Sequence, residues 1–265
     1  MTPQTLLAHF DSGEFWPADH EVAAGGDLAH GYGLALAVRE LRERRGERVA
    51  GYKIGWTNRG NWDRMGVAGP MWGTLHDTTL TFCDGHAEVA LGHAKLPRLE
   101  PEIVVGFERV PPAGASFDEL SDCIAWIAPG FEIVQAHAPD WRYSPAQTIA
   151  DSAVHARLIV GRRTPARYAA PNGESLAARL AGAAVRLSEG GVPKADGVGT
   201  NVLDGPLHAL RRFLQDMPRV PGAAPLKAGD VVTTGTWTDA QPIAPGETWQ
   251  ADFDAPIGPL RVTLR

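Results

Sequence analysis

The sequence predicts an α+β protein, with a smaller helical N-terminal part over residues 1–72 and a β-rich body over residues 73–265 built as a mixed β-sandwich or β-roll. Three observations lead there. Thirty glycines and 21 prolines punctuate the 265 residues, a density that favours short strands and turns over a helix bundle. Helix-period apolar spacing is concentrated early in the chain, and the texture changes near Gly73. Beyond that point short β-rich runs recur, first spaced by loops and then gathered in a sheet-rich C-terminal stretch.

Taken in order, Pro3 to Asp11 reads as a first helix. A second spans about Gly26 to Arg45, with Leu28, Leu34, Ala35, Val38 and Leu41 at helical spacing, a cap-like Asp27 and a stop at Gly46. Val49 to Ile54 is strand-like, and Asn58 to Met65 forms a short helix ended by Gly66. The β-rich runs are Thr79–Phe82, Glu102–Phe107, Ala125–Val134, Leu158–Val160, Ala183–Ser188, Val231–Thr234, Trp249–Phe253 and Leu260–Leu264. Helices at Ser175–Leu180 and Pro206–Leu214 interrupt them, and Thr164–Ser175 and Arg219–Gly229 read as surface loops.

Composition narrows the function. Lysine plus arginine number 25 against 31 acids, for a formal charge of −6, and there is no block of five like charges. That balance argues against nucleic acid or an anionic membrane as the main partner. The basic cluster Arg39–Arg48 is interrupted by Glu40, Glu43 and Glu47 and reads as a solvated helix face. Cys83 and Cys123 form neither a disulfide framework nor a CxxC metal motif, and read as small core residues in a reducing compartment. The N-terminus lacks a basic region followed by an apolar one, and no apolar run approaches a membrane span, so a cytoplasmic location is expected.

Chemistry concentrates in a few stretches. In Leu99-Glu100-Pro101-Glu102-Ile103-Val104-Val105, strand alternation puts Glu100 and Glu102 on one face and Ile103 and Val105 on the other. Two adjacent carboxylates repel unless solvated or bound to a cation, and both readings stand at this point. Glu132 is a lone acid inside the apolar run Ile127–Val134, so it needs a partner. Arg142 or Arg157 could supply an ion pair; alternatively, three carboxylates suit a hard cation, Mg²⁺ or Mn²⁺. Lys53, bracketed by Gly51 and Gly55, is either a surface lysine with a buried stem or a polarised acid and anion clamp. Asp151, in Thr148–His155, either orients a water or caps a turn. Thr236, after the Val231–Thr234 strand, belongs either to plain architecture or to a carboxylate contact. No HExxH, GxSxG or phosphate-loop motif occurs.

These stretches, in this order and over about Asp27 to Leu264, resemble the fumarylacetoacetate hydrolase superfamily, in its 2-keto-4-pentenoate hydratase and 4-oxalocrotonate decarboxylase branch. The carriers are Gly51–Gly55, Met65-Gly66-Val67, Glu100–Ile103, Phe131–Val134 with Asp140-Trp141, Thr148–Asp151 and Leu226–Asp230. The resemblance implies a β-roll body with Mg²⁺ or Mn²⁺ held by Glu100, Glu102 and Glu132. It also implies Lys53 in substrate contact and proton transfer, and Asp77 as a further site acid. The implied substrate is a small 2-oxo or 2-hydroxydienoate acid, whose enolate the cation stabilises. Hydration then comes first, with decarboxylation of a 2-oxo-dienedioate or C–C hydrolysis of an acylpyruvate as alternatives, and a non-catalytic partner subunit last. Homo-oligomers and a complex with another enzyme of the pathway also follow from the family. The chain departs from the family pattern at Gln135-Ala136-His137 and at Ser152–Ala156. His137 and His155 arrive there as a general base, an anion contact or satisfied core groups. Trp56, Trp72 and Trp237 replace smaller residues, which points to a reshaped pocket with Trp72 in substrate contact.

Overall fold

A computed structural model of the chain describes residues 1–17 and 27–265. Fourteen strands are formed among these residues. The first seven are β1 (Val49–Gly55), β2 (Met71–His76), β3 (Leu80–Phe82), β4 (His86–Val89), β5 (Arg98–Phe107), β6 (Ile124–Val134) and β7 (His155–Val160). The others are β8 (Thr164–Pro165), β9 (Ala184–Glu189), β10 (Val192–Val198), β11 (Val231–Thr233), β12 (Gln241–Pro242), β13 (Thr248–Phe253) and β14 (Pro259–Leu264).

Nine strands make one mixed sheet, in the order β2-β1-β11-β5-β6-β7-β3, with β12 on the flank of β5 and β8 on that of β6. The other five form a second sheet, β10-β9-β13-β14-β4. One continuous apolar core joins the two: Leu99, Ile103, Phe131 and Ile159 of the first sheet belong with Trp249, Leu260 and Val262 of the second. A smaller cluster with Val104, Ala128 and Leu158 covers part of the opposite face of the large sheet. This is the mixed two-sheet body that the strand runs predict.

The helical expectations hold in outline. The first helix is Pro3–Ser12; the Thr2 side chain accepts from the Thr5 N–H at its start, and Gly13 ends it at φ 68°. The second is Leu28–Arg44, with Asp27 accepting from the Ala29 N–H; the expected start at Gly26 lies outside the described residues. Arg42 departs from the solvated face expected of its cluster. It is buried, and its guanidinium bonds Glu47 at 2.6 Å, because this part of the helix packs onto the chain around Thr78. The expected loop Thr164–Ser175 is partly ordered structure: Thr164 and Pro165 pair with Ile127 and Trp126, and Ala166–Ala169 forms a helical turn with Ala166 and Ala169 buried. Five strands fall outside the strand runs read from the sequence, namely β2, β4, β8, β10 and β12.

Residue 72 falls within β2, which pairs antiparallel with β1, while β1 pairs parallel with β11. The N-terminal helices therefore feed strands directly into the large sheet.

Candidate active site

The β5–β6 hairpin sets the site. Its register places Glu100 opposite Glu132 and Glu102 opposite Gly130. Directly opposed residues share a face, and residues two apart on a strand share it too. Three carboxylates thus converge, with ligand oxygens within 4.8 Å of one another. Pro101, between the two glutamates, has no N–H to offer; its carbonyl accepts from the Trp237 N–H at 3.0 Å, in the gap between β12 and β11.

The same logic brings in Lys53. Thr233 lies opposite Val104 on β5, and Lys53 lies beside Thr233 in the parallel β1–β11 pair. Lys53 is 2% exposed; its Nζ donates to the Ala153 carbonyl at 3.1 Å and stands 3.4 Å from Glu132 Oε2. The Ala153 carbonyl is presented by a left-handed turn, Ser152–Val154, with φ of 53°, 53° and 58°. That turn presses on β2 at Gly73, where a Cβ would come 2.6 Å from the Ala153 Cβ, so only glycine admits the approach.

Each carboxylate has its own environment. Glu102 accepts from the Gly235 N–H at 2.7 Å and from the Thr233 hydroxyl. The Thr-Gly-Thr segment therefore serves one of the chain's own glutamates. Glu132 Oε1 is bonded to His155 Nδ1 at 2.9 Å, whereas its Oε2 is buried and makes no hydrogen bond. Burial pushes the Glu100 carboxyl up to about 7, Glu132 adds to this, and Lys53 and Arg98 oppose it. Burial and the neighbouring charges hold Glu102 well above the carboxylate range. Burial would raise Glu132 as well, but Lys53 and His155 outweigh it and bring it below the usual value. For Lys53 burial works downward, yet the carboxylates of Glu132, Glu100 and Glu102 prevail and keep the ammonium above the ordinary lysine value. The group is therefore kept as a cation beside the carboxyl groups.

With all three carboxyl groups ionised, the trio and the Lys53 ammonium would carry two net negative charges on a set of hard oxygen donors, and one buried oxygen lacks a hydrogen bond. A divalent hard cation fits both the charge and the donor chemistry. The trio opens into a cavity of about 680 Å³, lined by Lys53, Glu100, Glu102 and, farther out, Trp56, Trp141 and Tyr143.

The other expected residues divide. Thr236 lines this cavity, its hydroxyl donating to the Thr238 carbonyl at 2.9 Å. Trp56 and Trp237 line it, but Trp72 does not: its ring packs against Tyr32 at 4.9 Å and Tyr52 at 5.7 Å, inside an aromatic cluster. Asp77 is also away from the cavity, since it follows β2, opens a 3-10 turn and binds Arg48 at the surface at 3.0 Å. His137 and Asp151 bond to each other at 2.7 Å, and Asp151 also accepts from the Tyr143 hydroxyl. They act as a buttress behind Tyr143 rather than in the cavity wall. His155 is fully buried, with Nδ1 on Glu132 and Nε2 on Thr79 at 3.0 Å. Neither nitrogen faces the cavity, so it orients a carboxylate and has no open position for a general base. Glu132 pairs with Lys53 rather than with Arg142 or Arg157.

Arg98 and Trp141 were not anticipated as site residues. Arg98 lies two residues before Glu100, on the same strand face, and that spacing was the available signal. Ala153 had none, because it contributes through its carbonyl.

Residues 73–265 match the model of the fumarylacetoacetate (FAA) hydrolase C-terminal family. The chain is 31% identical over 219 residues to a 2-hydroxyhexa-2,4-dienoate hydratase of Comamonas testosteroni, covering 82% of this chain and 78% of that protein. It is 30% identical over 245 residues to a 2-keto-4-pentenoate hydratase of Burkholderia vietnamiensis, covering 92% and 88%. Among solved structures, 4-oxalocrotonate decarboxylase from Pseudomonas putida G7, complexed with magnesium and adipate, superposes with a TM-score of 0.83 at 23% identity, over 100% of this chain and 99% of that one.

Proposed function

The chain belongs to the fumarylacetoacetate hydrolase family, and on that premise we propose that it is a divalent-metal-dependent lyase acting on a small 2-hydroxydienoate or its 2-oxo tautomer. The observation that carries this reading is the gathering of Glu100, Glu102 and Glu132 beside a protonated Lys53 at one end of the cavity. Hydration of a 2-keto-4-pentenoate-like substrate agrees with the two hydratase relatives.

Glu100, Glu102 and Glu132 would hold Mg²⁺ or Mn²⁺, which supplies a Lewis acid for the substrate's 2-oxygen. The rest falls to the chain's own side chains. Lys53 keeps a proton at Nζ, within the reach of an anionic oxygen at the trio, and Ala153 fixes its direction. His155 and the Gly235 N–H hold two of the carboxylates in place, so that they do not rearrange as charge develops on the substrate. Trp56 and Trp141 give the cavity flat apolar surface suited to a planar conjugated chain. Acylpyruvate hydrolysis loses support, because the histidine that motivated it does not reach the cavity. Decarboxylation of a 2-oxo-dienedioate keeps support: it shares the trio and Lys53, and Arg64 and Arg98 also line the cavity. Homo-oligomeric assembly and a cytoplasmic site of action go with the family reading.

The test is a metal-dependent screen. Protein stripped with EDTA is mixed with 2-hydroxypenta-2,4-dienoate, 4-oxalocrotonate and an acylpyruvate, each with and without Mg²⁺. Loss of dienol absorbance with formation of a 4-hydroxy-2-oxo acid is expected; CO₂ release would move the assignment to decarboxylation. Turnover unaffected by EDTA would refute the metal-dependent reading.

A further inference from the structure

We infer that a second, smaller cavity, between the second helix and β2, is a binding site for a single halide ion, held by Arg39, Trp72 and His76. It is separate from the active-site cavity, and it is carried by a group of buried donors that the protein's own groups leave unbonded.

Trp72 and His76, four residues apart on β2, point to the same face. Arg39 and Arg42, three apart, share a face of the second helix. All four line a cavity of about 20 Å³, and Ser152 forms part of its wall. Trp72 is 4% exposed and His76 2%. The Trp72 ring is packed by its aromatic neighbours, but among the described residues its Nε1 has no hydrogen-bond partner. The same holds for both ring nitrogens of His76 and for Nε and Nη1 of Arg39. Arg39 stands 3.5 Å from the half-exposed carboxylate of Glu43, without a hydrogen bond from Nε. Arg42 is engaged elsewhere, since its Nε and Nη2 donate to Glu47 and Thr78. Native interiors rarely leave several buried donors unbonded in one place.

The donors decide what can bind. Indole and guanidinium N–H groups only donate. Burial and the charge of Arg42 push the His76 imidazole down to about 3, against Glu47 and Asp77, so it is neutral and brings one donor and one acceptor. The unbonded nitrogens are thus four donors and one acceptor, and no acid lines the cavity. The hydroxyls of Tyr32, Thr74 and Ser152, also in the wall, can each turn a proton inward as well. A water molecule has two protons to give and meets one acceptor nitrogen. A halide gives none and takes N–H groups from every side. Size points the same way. A volume of about 10–15 Å³ admits one water-sized particle, so about 20 Å³ holds a monatomic anion and excludes sulfate and phosphate.

The position gives the ion a task. Ser152 opens the left-handed turn whose Ala153 carbonyl accepts from Lys53. Val154, at the end of that turn, lines the active-site cavity, whereas Ser152 lines this one. An ion held here braces the turn from behind.

The experiment uses the full-length protein dialysed into sodium gluconate, whose anion is too large to enter. Melting temperatures are measured in gluconate, chloride and sulfate at equal ionic strength, and crystals are grown in sodium bromide for anomalous diffraction. Chloride at about ten times its dissociation constant should raise the melting temperature by about 3–6 °C, saturably, while sulfate leaves it at the gluconate value. A bromide anomalous peak should lie in contact with Trp72 Nε1 and the Arg39 guanidinium. Trp72→Phe and Arg39→Met should each reduce the chloride shift to below about 1 °C. Arg39→Met, outside the aromatic cluster, carries the test should Trp72→Phe fold poorly. Equal melting in all three salts, an equal rise in sulfate, or crystals without the anomalous peak, as for a cavity that holds water only, would overturn the inference.

Discussion

Glu102→Gln separates the cost of gathering the carboxylates from their use. Glu102 is 1% exposed, and its neighbours' ligand oxygens lie within 4.8 Å. Two unit charges at that distance repel by about 3.5 kcal/mol at an effective dielectric constant of about 20. Glu100 and Glu132 both face it, so ionising Glu102 adds about twice that, in keeping with a carboxyl that burial and its neighbours hold well above the carboxylate range. Glutamine keeps the shape. With its carbonyl oxygen in the place of Oε2, it can still accept from both the Gly235 N–H and the Thr233 hydroxyl. The EDTA-stripped variant should therefore melt at the wild-type temperature or up to several degrees higher, at about 2–4 °C per kcal/mol for a chain of this size. Removing one member of a buried charge cluster costs the bound state about 3–5 kcal/mol. Mg²⁺ affinity should then fall by two decades or more, and the thermal shift produced by saturating Mg²⁺ in the wild type should disappear. Thermal melts with and without Mg²⁺, together with calorimetric titration of the ion, read all three quantities. Wild-type Mg²⁺ affinity in Glu102→Gln, or a metal-free melting point more than about 5 °C lower, would refute the reasoning.

Other substitutions probe the neighbours. Lys53→Met removes the positive charge 3.4 Å from Glu132, so Mg²⁺ should bind equally well or more tightly while turnover falls at least about 100-fold; parallel loss of both would make Lys53 scaffold. His155→Ala leaves a buried Glu132 oxygen without its donor and should destabilise the protein by about 1–3 kcal/mol. Residual activity should keep the wild-type pH profile, and loss of a titrating limb would restore His155 as a general base. Glu47 tests the pH dependence of stability. Burial raises its carboxyl, but Arg42, Thr78 and Arg45 prevail and hold it near 2, below its unfolded value of 4.5. The stabilisation is therefore complete above about pH 4.5 and lost as pH falls through 2. In denaturant titrations Glu47→Gln should flatten the acid limb between those values.

Much of this architecture was legible where it depends on local pattern. The alternation Glu100, Glu102 against Ile103, Val105 fixed which side chains share a face, and the cap at Asp27 and the stop at Gly66 marked helix ends. Cross-strand register was not legible, since nothing near Glu132 states that Glu100 will stand opposite it. Lys53 likewise reaches the trio only through the parallel pairing of β1 with β11, a contact between residues far apart in sequence. Strand β10 escaped notice because it is an edge strand, exposed over most of its length and lacking an apolar face. Trp72, Asp77, His137 and His155 stand outside the active-site cavity wall for one shared reason. Each is polar or large at an informative position in the chain, but its neighbours in space satisfy it: an aromatic cluster for Trp72, Arg48 for Asp77, Asp151 for His137, and Glu132 with Thr79 for His155.

The hairpin that builds the trio also tests its own assembly. If β5 and β6 paired one residue out of step, Glu132 would face the opposite side of the sheet from Glu100 and Glu102. A molecule misaligned by one residue could not then collect three carboxylates, so a cation held by the trio would bind the correct alignment and not that one. During folding the ion would serve as a proofreader, drawing correctly zipped hairpins out of the population and leaving slipped ones free to unzip and try again.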